Sequence, residues 1–234
     1  MEENIIFKYD NVATQVATLL ELYPELRIVD STSSEIVLAG EMEVHRSYAD
    51  FPILKTYSLE LTIPIDTDEL PHVKDLGNHI NADYPHKYMN GELCLATDTE
   101  IRIRFIDGFD LCAWMKDFVE PYYYSHEYYQ RYGCFPFGDR IHGQFGTLQT
   151  YADILGAKDI TIAYRMIKAV LNTTEYRGHL PCLCGSGKKM RACHGDRMLK
   201  FFKDIRLMHI LKKDAKLIEE EITYLYEQNR SKTK

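Results

Sequence analysis

Residues 11 to 23, NVATQVATLLELY, set Val12, Val16, Leu19, Leu20 and Tyr23 at helical spacing, behind a cap at Asp10 or Asn11 and ahead of a stop at Pro24. This predicts a first amphipathic helix. Past the turn-like DSTSS the period changes from helical to alternating. EIVLAGEMEVHRSY alternates in part through Val37, Met42 and Val44, and TYSLELTIPI alternates through Tyr57, Leu59, Leu61 and Ile63. Both read as strands of an antiparallel meander with one buried face. From Asp66 to Gly91, prolines, histidines and asparagines break both periods. A segment of that length without a core pattern goes with function more than with plain connection.

GFDLCAWMKDFVE, residues 108 to 120, brings Phe109, Cys112, Trp114 or Met115, and Phe118 to one face and predicts a second helix ending at Pro121. The tyrosine-dense run PYYYSHEYYQRY and the glycine-punctuated GCFPFGDRIHGQFG read as a loop-rich lid packing rings on the core, a base-stacking or sugar-binding surface being the other use of such rings. Residues 147 to 171 are helical in two pieces broken at Gly156. A composition shift at NTTEYRGHLP marks a boundary. Residues 196 to 230 then hold no Gly or Pro, and Met208, Leu211, Ala215, Ile218, Ile222 and Leu225 recur at alternating spacings of three and four. That is one long helix with an apolar seam, docked on its own domain or paired as a short coiled coil in a homodimer. The expected fold class is α+β: an N-terminal helix, an antiparallel β-meander and following helices, then a small knuckle and a long C-terminal helix. The domains read as 1–155, a helical linker 156–178, a metal-binding motif 179–196 and a C-terminal helix 197–234.

Lys+Arg 28 against Asp+Glu 35 leaves a net charge of -7 over 234 residues, which argues against gripping nucleic acid by overall charge. No apolar run approaches the roughly 18–20 residues of a membrane span, and MEENIIFKYD lacks the basic start and apolar core of a signal peptide. A cytoplasmic chain is expected. In a reducing compartment, cysteines at 94, 112, 134, 182, 184 and 193, with the last three crowded together, point to metal binding before disulfides.

The segment Pro181-Cys182-Leu183-Cys184-Gly185-Ser186-Gly187-Lys188-Lys189-Met190-Arg191-Ala192-Cys193-His194 carries three thiols and one imidazole, and its Gly-Ser-Gly turn can fold the second pair back onto the first. Four soft or borderline ligands with no place left for water describe a structural Zn²⁺ site at Cys182, Cys184, Cys193 and His194. So short a segment cannot hold itself together by apolar burial, so ligation supplies its folding free energy. Lys188, Lys189 and Arg191 read as solvated charges or as contacts to phosphate or a partner. Residues 180 to 194 resemble the zinc motif at the C-terminus of the bacterial SecA translocation ATPase, with Leu183 where proline is usual. That motif is appended to many otherwise unrelated proteins and names no activity.

In Tyr84-Pro85-His86-Lys87-Tyr88-Met89-Asn90-Gly91-Glu92-Leu93-Cys94-Leu95, Asn-Gly demands a turn and an extended piece follows, so Cys94 lies just after a bend, within reach of solvent. Taken alone, a Cys between two leucines also suits a small buried position. This stretch resembles the active-site segment of the ubiquitin-conjugating enzymes: Pro85 takes the family's proline, Asn90-Gly91 its turn and Leu93-Cys94-Leu95 the piece that holds the acceptor cysteine. Leu61-Thr62-Ile63-Pro64 and Leu70-Pro71-His72-Val73 are similar to the strand and proline-rich loop before that site. The resemblance covers about residues 10 to 120 and is closest between 57 and 95. His86 replaces the family's asparagine, and Tyr84 its preceding histidine.

The resemblance implies a thioester transferase. Cys94 takes the C-terminal acyl group of a small or partner protein from an activating enzyme and passes it to an amine on a protein acceptor, with the donor a ubiquitin-like or nucleotidyltransferase protein in a bacterial anti-phage system. His86 would donate to an oxyanion or accept a proton, and Asp83 would orient or deprotonate the amine. His72, His79 and His126 are lesser bases, and Cys112 and Cys134 read as bystanders. A non-catalytic adaptor of the same fold, binding protein through its zinc motif and last helix, is the alternative. An unrelated Cys-His hydrolase would need an orienting third residue that the sequence does not reveal.

Overall fold

The computed structural model describes residues 11–48, 50–65, 67–81 and 83–232. The chain is an α+β protein that divides into two compact units, one running to Ala96 and adding Asp107–Asp139, the other made of Thr97–Ile106 and the chain from Arg140 onward.

In the first unit, helix α1 (Val12–Leu22) buries Val16 and Leu19. The cap expected at Asp10 falls outside the described residues. Asn11 occupies the N-cap with φ 52° and makes no side-chain capping bond, because side-chain caps form from an extended N-cap backbone and Asn11 is left-handed. Strands β1 (Leu26–Ser31), β2 (Glu35–Tyr48), β3 (Phe51–Pro64) and β4 (His72–Asp75) form an antiparallel sheet in chain order. Leu38, and not the expected Val37, shares the buried face with Met42 and Val44, because residues an odd number apart point to opposite faces. Leu38 pairs with Leu61 and Met42 with Tyr57, all buried, so a slip by one residue would send this whole set to solvent. β1 and β4 escape a sequence reading. β1 buries only Leu26, and β4 sits inside the histidine- and proline-rich segment with Val73 as its buried residue.

Helix α3 (Leu111–Trp114) does not stop at Pro121. It passes through a π-helical turn (Met115–Val119) into α4 (Glu120–Tyr132), in which the Glu120 amide bonds back to the Met115 carbonyl. The wider turn ends where Pro121 enters the first turn of α4, the place in a helix that tolerates a ring and a missing N–H. The tyrosine run is therefore helix, not a loop-rich lid, and the loop begins only at Gly133, whose φ of 68° closes α4. Period explains the composition. Tyr122, His126 and Tyr129 present one aromatic stripe to Tyr84, while Tyr124, Tyr128 and Tyr132 present a second to Phe51.

The second unit holds α2 (Asp98–Arg104), α5 (Gly143–Leu155), α6 (Ile160–Leu171), α7 (Gly195–Lys203) and α8 (Ile205–Lys232). Helices α5 and α6 break at Gly156, as the sequence predicts. Helix α5, grouped by the sequence with the N-terminal domain, buries Leu148, Tyr151 and Leu155 in one core with Met166, Met198, Phe201 and Leu211. The single long helix expected from residue 196 is two, because Asp204 is extended and its carboxylate accepts from the Arg206 amide at 2.9 Å and guanidinium at 2.7 Å, capping a fresh helix. The α8 seam is buried at Leu211, Ala215 and Ile218, whereas Ile222 and Leu225 are each 37% exposed. Among the described residues, no helix is long and apolar enough to cross a membrane.

Candidate functional site

The strand-like stretch from His86 to Cys94 folds back on itself. The Cys94 amide donates to the His86 carbonyl at 2.8 Å, Lys87 bridges Leu93, and the Tyr88 amide donates to the Glu92 carbonyl at 2.8 Å. Gly91, with φ 86°, makes the reversal, and the Asn90 side chain accepts from the Glu92 amide at 3.1 Å, as the Asn-Gly pair predicts. The Leu93 amide donates to the Val73 carbonyl at 2.8 Å and ties this hairpin to β4. Alternation then buries Leu93 and leaves Cys94 half-exposed. The Cys94 sulfur and a ring nitrogen of His86 lie within 4.8 Å of one another.

Helix α4 supports the hairpin from below. The Tyr122 hydroxyl donates to the His86 carbonyl at 2.8 Å. Burial, then the neighbouring Tyr84 and Tyr123 and the Cys94 thiol, push the Tyr122 phenol up, so this donor keeps its proton at any physiological pH. The His86 ring meets Phe135 edge-on at 4.9 Å and Tyr84 at 5.9 Å, and Phe135 is stacked on Tyr129 at 4.6 Å. Phe135 thereby pins the loop after α4, and that loop delivers Asp139, whose Oδ1 is 3.3 Å from His86 Nε2. The imidazole thus has the thiol within 4.8 Å of a ring nitrogen and the carboxylate on Nε2.

Of the expected residues, the hairpin joins Cys94 and His86 and leaves out Asp83, which is exposed and belongs to no such cluster among the described residues. The carboxylate at His86 is Asp139, with Tyr122 and Phe135 as its supports. None of these carries a local sequence signal. His72 stands 3.6 Å from Glu92, His79 lies edge-on to Tyr57 at 5.3 Å, and His126 is 3% exposed beneath Tyr84. Cys134 is exposed, and burial followed by Asp110 pushes the Cys112 thiol up.

In the second unit, Cys182, Cys184, Cys193 and His194 converge, their ligand atoms all within 4.8 Å of one another, and are positioned to hold a metal ion. His194 Nδ1 is 3.2 Å from the sulfurs of both Cys182 and Cys193, and Cys184 Sγ is 3.5 Å from Cys193 Sγ. A short hairpin brings them together: the Cys182 amide donates to the Lys188 carbonyl and the Met190 amide to the Leu180 carbonyl, each at 2.8 Å, around Gly185 and Gly187 at φ 78° and 73°. His194 Nε2 donates to the Gly156 carbonyl at 2.8 Å, which leaves Nδ1 as the ligand atom and sets the ring's orientation. The Ser186 hydroxyl and amide hold the Cys184 thiol down to about 6, while burial pushes that of Cys182 up. Lys188, Lys189 and Arg191 are exposed.

No protein-family model, curated protein or solved structure matches the chain.

Proposed function

We propose that the chain is a ubiquitin-conjugating-like thioester transferase in which Cys94 accepts the C-terminal acyl group of a protein from an activating enzyme and passes it to an amine. The observation that carries this reading is the half-exposed Cys94 just after a tight hairpin turn, its thiol within 4.8 Å of the His86 imidazole. The order of parts supports it: α1, a sequential antiparallel meander, an irregular segment, the cysteine, then helices. A thiol in reach of a base forms and discharges thioesters without a cofactor, and the hairpin contributes position more than strong base catalysis. The test is a covalent adduct on the full-length chain in its native cells. Adduct of polypeptide mass on Cys94 that thiol reductant removes and Cys94→Ala lacks is expected. A chain that carries no such mass with Cys94 intact overturns the reading.

The ion that fits the second site is Zn²⁺. A tetrahedral ion with Zn–S near 2.3 Å and Zn–N near 2.0–2.1 Å separates its ligands by roughly 3.6–3.8 Å, and the ligand atoms here stand 3.2 to 3.5 Å apart where they approach closest. Three thiols, one imidazole and an orienting carbonyl on the far ring nitrogen match a closed structural site. The ion would hold residues 178 to 195 folded.

An adaptor role is the second reading, favoured by the exposed C-terminal half of α8, where Ile222, Leu225, Tyr224 and Tyr226 face solvent.

A further inference from the structure

We infer that Asp139 is the positioning residue of a thiol–imidazole–carboxylate unit, holding His86 as the base that takes the Cys94 proton. The inference rests on the thioester reading above and adds to it the group that makes His86 a base rather than a loop brace.

Three observations carry it. His86 is fixed from its backbone side by the Cys94 amide and the Tyr122 hydroxyl, so its ring starts from a set place. Its side chain is only 12% exposed and is flanked by the Phe135 and Tyr84 rings, which limit its rotation. The carboxylate 3.3 Å from Nε2 arrives on a loop pinned by the Phe135–Tyr129 stack. A carboxylate on one ring nitrogen selects the tautomer that leaves the other nitrogen unprotonated, and it stabilises the imidazolium once a proton arrives. Asp83, the acidic residue nearest His86 along the chain, does not take this position.

The chemistry balances on these groups. In charging, the Cys94 S–H proton moves to His86, the sulfur bonds to the donor's acyl carbon, and the donor thiolate leaves and recovers the proton from His86. In discharge, the amine nitrogen bonds to the same carbon and yields its proton to His86, while the C–S bond breaks and its electron pair returns to the Cys94 sulfur. Asp139 touches none of the reacting atoms. It acts through the ring.

The experiment needs no acyl donor. The full-length, zinc-loaded chain is treated with iodoacetamide at neutral pH, the alkylation rate at Cys94 is followed by peptide mass spectrometry, and the His86 ring nitrogens are observed by long-range proton–nitrogen NMR. Asp139→Asn and His86→Gln are each expected to slow alkylation about tenfold, as a thiol loses its thiolate-stabilising partner. Asp139→Glu should recover most of the rate, and Asp139→Asn should shift the His86 ring resonances toward the other tautomer. A wild-type rate in Asp139→Asn with a slow His86→Gln overturns the inference and leaves the thioester reading standing. A rate in Asp139→Glu as low as in Asp139→Asn overturns it as well. Wild-type rates in all three variants overturn it too, and the thioester reading then stands or falls on the covalent adduct alone.

Discussion

The Cys94 amide and the His86 carbonyl share a 2.8 Å hydrogen bond, and the same carbonyl accepts the Tyr122 hydroxyl at 2.8 Å. A carbonyl with two lone pairs is thus filled from the hairpin and from helix α4. Tyr122→Phe removes the second bond without changing ring packing. It should cost about 1 kcal/mol and slow Cys94 alkylation a few fold, read as a lower Tm and a lower iodoacetamide rate. An unchanged rate would show that the hairpin alone sets the thiol.

Metal removal separates the two sites. Strong chelation, or Cys182→Ser, should release stoichiometric zinc and speed hydrogen exchange between residues 178 and 195, because only Cys182, Met190 and Gly195 of this segment are buried. Alkylation at Cys94 should change by less than about twofold, since the supports identified for that thiol, Tyr122, Phe135 and Asp139, all lie in the first unit.

Gly156 serves both a turn and a ligand. Its φ is 68°, a Cβ there would run into the Arg197 guanidinium, and its carbonyl orients His194. Gly156→Ala should therefore destabilise the chain by about 1–2 kcal/mol and weaken zinc about tenfold, measured by thermal unfolding and by competition with a chromophoric chelator.

The Glu127 carboxyl is held down to about 2 from its ordinary 4.5 by His126 and by Lys55, which pairs with it at 2.7 Å. A depressed acid stabilises the fold above its unfolded pKa, and this contribution disappears as pH falls from about 4.5 toward 2. Glu127→Gln should flatten that limb of the stability curve. Urea unfolding at pH 6 and pH 3 gives the comparison, and equal losses in both proteins would refute it.

Asp214 runs the other way. Burial raises its carboxyl although Tyr151 and Thr99 each donate to Oδ2 at 2.7 Å. A raised acid weakens the fold as pH climbs past its unfolded value of 3.8, so the ionised group costs stability at neutral pH. Asp214→Asn keeps an acceptor oxygen for both hydroxyls and removes the charge. Its Tm should exceed that of the wild type at pH 7 and converge on it in acid.

Legibility followed distance along the chain. The strand pair is readable because Met42 and Val44 on β2 and Tyr57, Leu59 and Leu61 on β3 carry a period of two on a half-buried sheet, and α1 because Val16 and Leu19 carry a helical one. The Tyr122, His126 and Tyr129 spacing is helical too, but Pro121 ahead of it and the glycines behind it speak for a loop. Only the π turn that admits the proline resolves the conflict. Asp204 looks like an ordinary polar residue on a helix until its carboxylate is seen closing on Arg206.

The sequence by itself determined the alternating sheet, the first helix, the break at Gly156 and the Cys3His cluster, because each depends on residues within a few turns or one short hairpin. It also put Cys94 just after the Asn90-Gly91 turn, whereas the closure of His86 onto Cys94 is read from the structure. Tertiary structure alone decided that the carboxylate beside His86 is Asp139 and not Asp83, because that choice depends on Phe135 settling against Tyr129, a packing contact that no local period encodes.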